Sequence, residues 1–150
     1  MNTDGKIIYA PALSVKKDDY LMIKGFPCKI TDVAISKTGK HGGCKCHFVG
    51  NDIFTNKKYV ALHGSGDSLE VPIITKKEYK LCDITKEEDK NGDTVFECSL
   101  MDSNGILTAM TLRDAELASK ILEAIEKDII SVTVLKALNA EQIMSYRIEK

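Results

Sequence analysis

The sequence predicts an all-β chain of two small barrels, with one helix in the second. Three observations carry that prediction. Short runs alternate apolar and polar residues along most of the chain, punctuated by Gly, Pro, Asn and Asp. Apolar residues at helical spacing are confined to one stretch, Leu117, Ala118, Ile121, Leu122 and Ile125. The charge balance changes sign near Pro72. Residues 1–71 carry ten Lys against seven Asp and Glu, and residues 72–150 carry eleven Lys and Arg against fifteen. With 150 residues, 43% of them hydrophobic, there is material for two small cores. The domains are therefore placed at 1–71 and 78–150, with a short stiff linker at 72–77 that holds no turn glycine.

In the first half, Met1 to Tyr9 reads as mixed and loose at its start. Ala12-Leu13-Ser14-Val15 reads as a first short strand, and Lys16-Lys17-Asp18-Asp19 as a turn. Tyr20 to Lys24 is a strand, reversed at Gly25-Phe26-Pro27 into a longer one that runs to Ile35. The chain returns from Cys44 to about Phe54, turns at Thr55-Asn56-Lys57, and adds strands at Lys58–Leu62 and Ser68–Val71. Short strands with frequent turns and no helical period describe a small barrel.

The second half opens with a strand from Tyr79 to Lys86. Asn91-Gly92 and Asn104-Gly105 are hairpin signals that bracket the strand Thr94–Met101 and lead into Ile106–Thr111. The helix follows, with Thr111 and Asp114 as a capping pair. Ile129–Leu135 is β-branched and reads as a strand. Asn139-Ala140-Glu141-Gln142 reads as a helical turn, and Tyr146-Arg147-Ile148 as a last edge strand. Three meander strands, a helix and two strands is the order of an OB-fold. This half is acidic and poor in aromatics, so a docking barrel fits it at least as well as a nucleic-acid platform.

The most informative stretch is Ser36-Lys37-Thr38-Gly39-Lys40-His41-Gly42-Gly43, between two alternating runs. Its glycines permit a tight reversal, so it reads as the tip of a long hairpin with Lys40 near the apex. No carboxylate occurs from Val33 to Asn51, whereas Lys37, Lys40 and Lys45 are basic. On spacing alone, a lysine in a glycine-rich turn is most simply a solvated turn residue. A phosphate-binding P-loop is excluded by pattern, because Gly39-Lys40 is followed by His41 and by a strand instead of a helix.

The same stretch, followed by Lys45, His47, Val49-Gly50, Asp52-Ile53-Phe54-Thr55 and Lys57-Lys58-Tyr59, resembles the eukaryotic translation initiation factor 5A family. Gly25-x-Pro27-Cys28-Lys29-Ile30 and Val71-Pro72 extend the similarity. Gly43-Cys44 departs from the family's usual His-Ala and Cys46 from its usual Val, and the N-terminus is shorter and lacks the usual acidic stretch. The resemblance implies an SH3-like barrel followed by an OB-fold. It also implies that Lys40 is converted to hypusine, with Ser36, Lys37, Thr38, Gly39, His41 and Gly42 presenting it to the modifying enzymes. Those enzymes are deoxyhypusine synthase, which takes an aminobutyl group from spermidine, and deoxyhypusine hydroxylase. The implied function is a translation factor that binds the ribosome beside peptidyl-tRNA, relieves stalls at consecutive prolines and assists termination. Lys37, Lys40 and Lys45 would supply the nucleic-acid contacts. The alternative is a general RNA-binding or protein-docking adaptor that uses the unmodified basic hairpin.

Five cysteines with no secretory segment and no apolar run of membrane-spanning length fit reduced thiols in the cytoplasm, with no membrane partner. Cys44-x-Cys46 with His41 and His47 lacks zinc-ribbon spacing, so no metal is expected; alternation along a strand explains the pair. All three histidines lie in the basic half, and no nucleophile–base pattern can be built from spacing. The expectation is a protein that is not an enzyme and that binds no cofactor of its own.

Overall fold

Where the side chains of a strand alternate between core and water, one extra residue reverses every side chain beyond it. Two such places shape this protein. The computed structural model describes residues 6–37 and 43–149. The chain separates into two compact units, Met1–Ile74 with Ala137–Asn139, and Thr75–Lys136 with Ala140–Lys150.

The first unit contains β1 (Ile7–Pro11), β2 (Tyr20–Ile23), β3 (Phe26–Lys37), β4 (Cys44–Asp52), β5 (Lys58–Gly64) and β6 (Ser68–Pro72). A four-stranded antiparallel sheet runs β2-β3-β4-β5, and β1 pairs with β6 in a second, two-stranded sheet. Leu21, Ile23, Cys28, Ile30, Cys46, Phe48 and Leu69 are buried together as its core. One expectation fails here: Ala12–Ser14 form a 3-10 turn instead of a strand, and the first strand is Ile7–Pro11, which begins in a stretch read only as mixed. Ala12 is buried all the same, and its N–H donates to the Asp67 carbonyl.

The second unit contains β7 (Ile74–Glu88), β8 (Thr94–Met101), β9 (Leu107–Leu112), α1 (Ala115–Ile125), β10 (Ile129–Ala137) and β11 (Ala140–Glu149). Its sheet runs β11-β10-β7-β8-β9, and β11 comes back beside β9, the closure of an OB barrel. Ala118 and Ile121 on the apolar stripe of α1 are buried in the core with Leu100, Leu112, Ile130 and Val132. The helix is capped by Asp114 alone, whose carboxylate accepts from the Leu117 N–H. Thr111, expected to share the cap, lies in β9 and donates to Glu97. The helical turn expected at 139–142 is also absent: β11 begins at Ala140, after a turn in which Leu138 takes φ +56°. Nor do residues 72–77 form a free linker. Pro72 ends β6, β7 starts at Ile74, and only Ile73 lies between them.

The Asn-Gly hairpins form as expected, and they share one construction. The Asp89 carboxylate accepts from the Asn91 and Asp93 N–H groups, and Asp102 accepts from those of Asn104 and Ile106. Gly92 and Gly105, at φ +81° and +79°, occupy the left-handed position that a side chain would strain.

Candidate functional site

The loop with Lys40 is carried by β3 and β4, paired antiparallel from Cys28↔Asp52 to Lys37↔Cys44. This is the long hairpin read from the alternation. Its expected tip residues Thr38, Gly39, Lys40, His41 and Gly42 lie outside the described residues. Ser36, Lys37 and Lys45 are described, and all three are exposed at the end of the stem.

The stem gets its faces from a bulge. The register shifts between Ile30 and Asp32, and Thr31 is the extra residue. Cys28 and Ile30 point inward at even positions; beyond the bulge Val33 turns inward at an odd one. The Thr31 hydroxyl donates to the Val49 carbonyl across the irregularity, at 3.2 Å. On β4 the alternation is unbroken, with Cys46, Phe48 and Gly50 buried, and Lys45 and His47 exposed. Cys46 is thus a core residue and His47 faces the other way, as strand alternation requires. Gly50 is needed for close approach. A β-carbon there would sit 3.0 Å from the Cys28 Cβ and 3.2 Å from both the Ile30 Cδ1 and the Lys29 carbonyl oxygen.

The same register separates two of the expected nucleic-acid contacts. Lys37 pairs with Cys44 and Lys45 with Ser36, which are adjacent rungs, so the two lysines project from opposite faces of the ribbon. They straddle the stem and do not form one flat patch. The base of the loop is held by the β5–β6 turn. The Ser65 N–H donates to the Cys44 carbonyl at 2.9 Å, and the Asp67 carboxylate accepts from the Gly64 N–H at 2.9 Å. His63 Nδ1 lies 3.8 Å from the Asp67 carboxylate, and its ring packs beside Phe48. Burial pushes the Cys28 thiol up to about 11, and the charge of Asp52 adds to the effect.

In the second unit, the outward face of β7, β8 and β9 carries Asp83, Thr85, Glu97, Ser99, Ala109 and Thr111, from the pairings Asp83↔Ser99↔Ala109 and Thr85↔Glu97↔Thr111. None of these offers a ring for stacking a base. Among the described residues, no helix is long and apolar enough to cross a membrane.

Residues 8–67 match a family model described as translation initiation factor 5A-like, N-terminal. Residues 73–147 match one described as eukaryotic elongation factor 5A hypusine, DNA-binding OB fold. Eukaryotic translation initiation factor 5A-2 of Caenorhabditis elegans is 37% identical over 139 residues, 90% of this chain and 81% of that one. The chain belongs to the translation initiation factor 5A family. Another member, 5A-4 of Solanum tuberosum, is 38% identical over 135 residues, 87% of this chain and 79% of its own. Among solved structures, a factor 5A family protein of Naegleria fowleri superposes with a TM-score of 0.83 at 35% identity, covering 95% of this chain and 99% of that one. The factor 5A of Methanococcus jannaschii gives 0.70 at 28% identity, covering 98% of each. These relatives bear out the all-β class and the OB-fold of the second unit, together with a curled half-barrel sheet in the first. The protein is thus a member of a translation-factor family, and its second half matches the family's hypusine OB domain.

Three features were missed in the sequence, and two of them have a signal there. The two bulges show as a change of apolar parity, from Cys28 and Ile30 to Val33, and from Leu81 to Ile84. The loop carboxylates show as an Asp three residues before each Asn-Gly glycine. The split of Lys37 from Lys45 follows only when the hairpin register is known.

Proposed function

We propose that this protein binds the ribosome beside peptidyl-tRNA and acts through a hypusine side chain built on Lys40. The observation that carries the reading is the run Ser36–Gly42, set between two long paired strands in a chain matched by the family's models along both halves. In the first step the synthase moves the aminobutyl group of spermidine to the lysine amine, breaking its bond to the secondary nitrogen and releasing 1,3-diaminopropane. In the second the hydroxylase converts one C–H bond of that arm to C–OH, with dioxygen as oxidant and a two-electron reductant that takes the second oxygen to water. The NAD and iron used in these steps belong to those enzymes. The product is a longer arm with a second amine, so the loop gains one positive charge and further hydrogen-bond donors. Such an arm contacts phosphate and sugar at the acceptor end of a tRNA without reading sequence. Lys37 and Lys45, one on each face of the stem, then flank it with further positive charge. Holding the acceptor end in its reactive geometry speeds peptide-bond formation by positioning alone. Slow donors and acceptors such as consecutive prolines gain most, and hydrolysis at termination gains by the same means. The work is done in the cytoplasm, where the ribosomes and both modifying enzymes are.

The test is Lys40→Arg in an extract depleted of the native factor, read by a reporter with a run of prolines. Arginine keeps one charge at similar reach but cannot accept the aminobutyl group. The variant is expected to fold normally and to leave the reporter stalled. Full rescue overturns the hypusine reading and favours the adaptor.

A further inference from the structure

We infer that the free edge of β5, at Val60 and Leu62, is a docking site for one extended peptide segment of a partner protein, which joins the sheet as an added strand. The inference stands apart from the reading of Lys40 and goes beyond it.

The ladder fixes which backbone groups of β5 are engaged. The Asp52 N–H donates to the Lys57 carbonyl and the Ser65 N–H to the Cys44 carbonyl. The pairs that exchange hydrogen bonds between β4 and β5 are therefore Cys46↔His63, Phe48↔Ala61 and Gly50↔Tyr59. The residues that alternate with them, Lys58, Val60, Leu62 and Gly64, turn their N–H and C=O groups away from β4. Gly64 confirms the direction: the Asp67 carboxylate accepts from its N–H at 2.9 Å, and its carbonyl accepts from the Asp67 N–H at 3.0 Å. That clasp closes the edge at Gly64 and stops there. Among the described residues β5 is the last strand of its sheet, with β4 on one side only. Val60 and Leu62 carry neither charge nor proline, and the β4–β5 register has no bulge, so the usual protections of an exposed edge are missing at these two positions. Their side chains are 39% and 63% exposed.

The edge opens into a cleft of about 520 Å³. Val60 and Leu62 stand on one side, Met22 of β2 and Lys24 just after it on the other, and Glu70 of β6 completes the lining. Lys24 lies at the Tyr59 end, where the Phe26 and Tyr59 rings stack at 4.8 Å and tie the β2–β3 turn to β5. Glu70 lies at the His63 end, where it shares an adjoining hollow with Asp67. The cleft is thus basic at one end and acidic at the other.

Three features select the occupant. Val60 and Leu62 each offer one donor and one acceptor, repeating every ~6.6 Å along the strand. A peptide backbone supplies partners to both, whereas a phosphate backbone only accepts and would leave the two carbonyls unmet. The far side of the cleft, built from β2, leaves room for a single strand and not for the sheet that a second copy of this chain would bring. The charges set the direction. Every neighbouring pair in this sheet is antiparallel, so the peptide enters at the Glu70 end and leaves at the Lys24 end. Its chemistry follows: a basic residue near its start, an acidic one near its end, and β-branched apolar residues at alternate positions to lie beside Val60 and Leu62.

The probe is a fluorescein-labelled peptide, acetyl-Lys-Val-Thr-Val-Thr-Val-Glu-amide, titrated with the full chain and read by anisotropy. Saturable binding in the micromolar range is expected, and exchanging the terminal Lys and Glu should weaken it. N-methylation of one alternate set of peptide amides should abolish binding, and of the other set should leave it, because only one set faces β5. Val60→Pro removes an outward N–H without touching the β4–β5 ladder, and should weaken binding at least about fivefold, the weight of one hydrogen bond. Leu62→Lys puts a charge on the edge with the backbone kept, and decides the matter where proline unsettles the strand. Leu107→Lys, at a leucine equally exposed in the second unit, should change nothing. Absence of saturable binding overturns the inference, as does equal loss from both N-methyl sets or an affinity unchanged in Val60→Pro and Leu62→Lys. Self-association in sedimentation that Leu62→Lys abolishes overturns it in favour of a second copy on this edge. Displacement of the peptide by polyuridine overturns it in favour of nucleic acid.

Discussion

Gly50→Ala tests how tightly the base of the hairpin is packed. The new methyl would lie 3.0 Å from the Cys28 Cβ and 3.2 Å from the Ile30 Cδ1, where carbon pairs ordinarily sit at ~3.5–4.0 Å. Its third neighbour, the Lys29 carbonyl oxygen at 3.2 Å, is backbone and cannot rotate aside. The strands must part by several tenths of an ångström at the pair Ile30↔Gly50, next to the bulge. Overpacking of this kind costs ~1–3 kcal/mol. Alanine's smaller unfolded-state freedom returns ~0.4–1 kcal/mol. The net loss is about 1–2 kcal/mol, a factor of ~5–30 in the folding equilibrium. Native-state amide exchange should show it as correspondingly faster exchange at Cys28, Ile30 and Phe48. Ile30→Val in the same chain removes one of the crowding atoms and should recover part of the loss. Unchanged exchange in Gly50→Ala would refute the reasoning, since the contacts leave it no relaxed place.

Further outcomes follow from the same geometry. Cys28 and Cys98 are buried, and burial first, with neighbouring carboxylates second, pushes each thiol from 9.0 up to about 11. Between those values the unfolded chain loses these protons and the folded chain keeps them. Stability should therefore fall as pH rises through that window, by up to ~1.4 kcal/mol per pH unit for each thiol, and Cys28→Ala or Cys98→Ala should lessen the drop in urea midpoint between pH 9 and 10.5. Iodoacetamide should label exposed Cys82 well before buried Cys28, Cys46 and Cys98, as read by peptide mass. The Asp89 carboxyl is held below its usual 3.8, first by the hydrogen bond from Arg113 and then by the Asp93 N–H. Its contribution is present above that range and is lost as pH falls through the lowered value; Arg113→Ala should move the acid-unfolding midpoint upward. Because Lys37 and Lys45 flank the stem on opposite faces, Lys37→Glu and Lys45→Glu should each weaken ribosome binding as read by co-sedimentation, and the binding that remains should fall further as salt rises.

Element types were readable wherever local chemistry decides them. Asn91-Gly92 and Asn104-Gly105 named their hairpins because the left-handed position needs glycine, and the stripe through Ala118 and Ile121 named the helix. What escaped depends on distant partners. Ala12–Ser14 looked like a strand, yet its Ala12 N–H is taken by Asp67 from another turn. Residues 139–142 have acceptable helix propensity, but β10 is an open edge that β11 completes. Ile74 to Lys77 read as linker because Pro72 stops a strand, and a new one starts almost at once. At the candidate site, the motif points to Lys40, which lies outside the described residues, while the sidedness of Lys37 and Lys45 rests on a pairing register that neither motif nor composition states.

The bulge at Thr31 sets rules for how the length of this hairpin can vary. Above it, a change of one residue in β3 alone would exchange the two faces of everything up to the loop, sending Val33 to water and Ala34 toward Phe48. Matched pairs, two residues added to or removed from each strand, keep every face and shift the loop by ~6.6 Å along the strand direction. Related chains should therefore differ in stem length by such pairs or not at all, and single-residue insertions should collect in the joining turns. The bulge also isolates the two parts of β3: the core below it can drift in sequence without rotating the stem above. An engineer who wanted a longer or shorter reach has one safe step size, and it is built into the ladder.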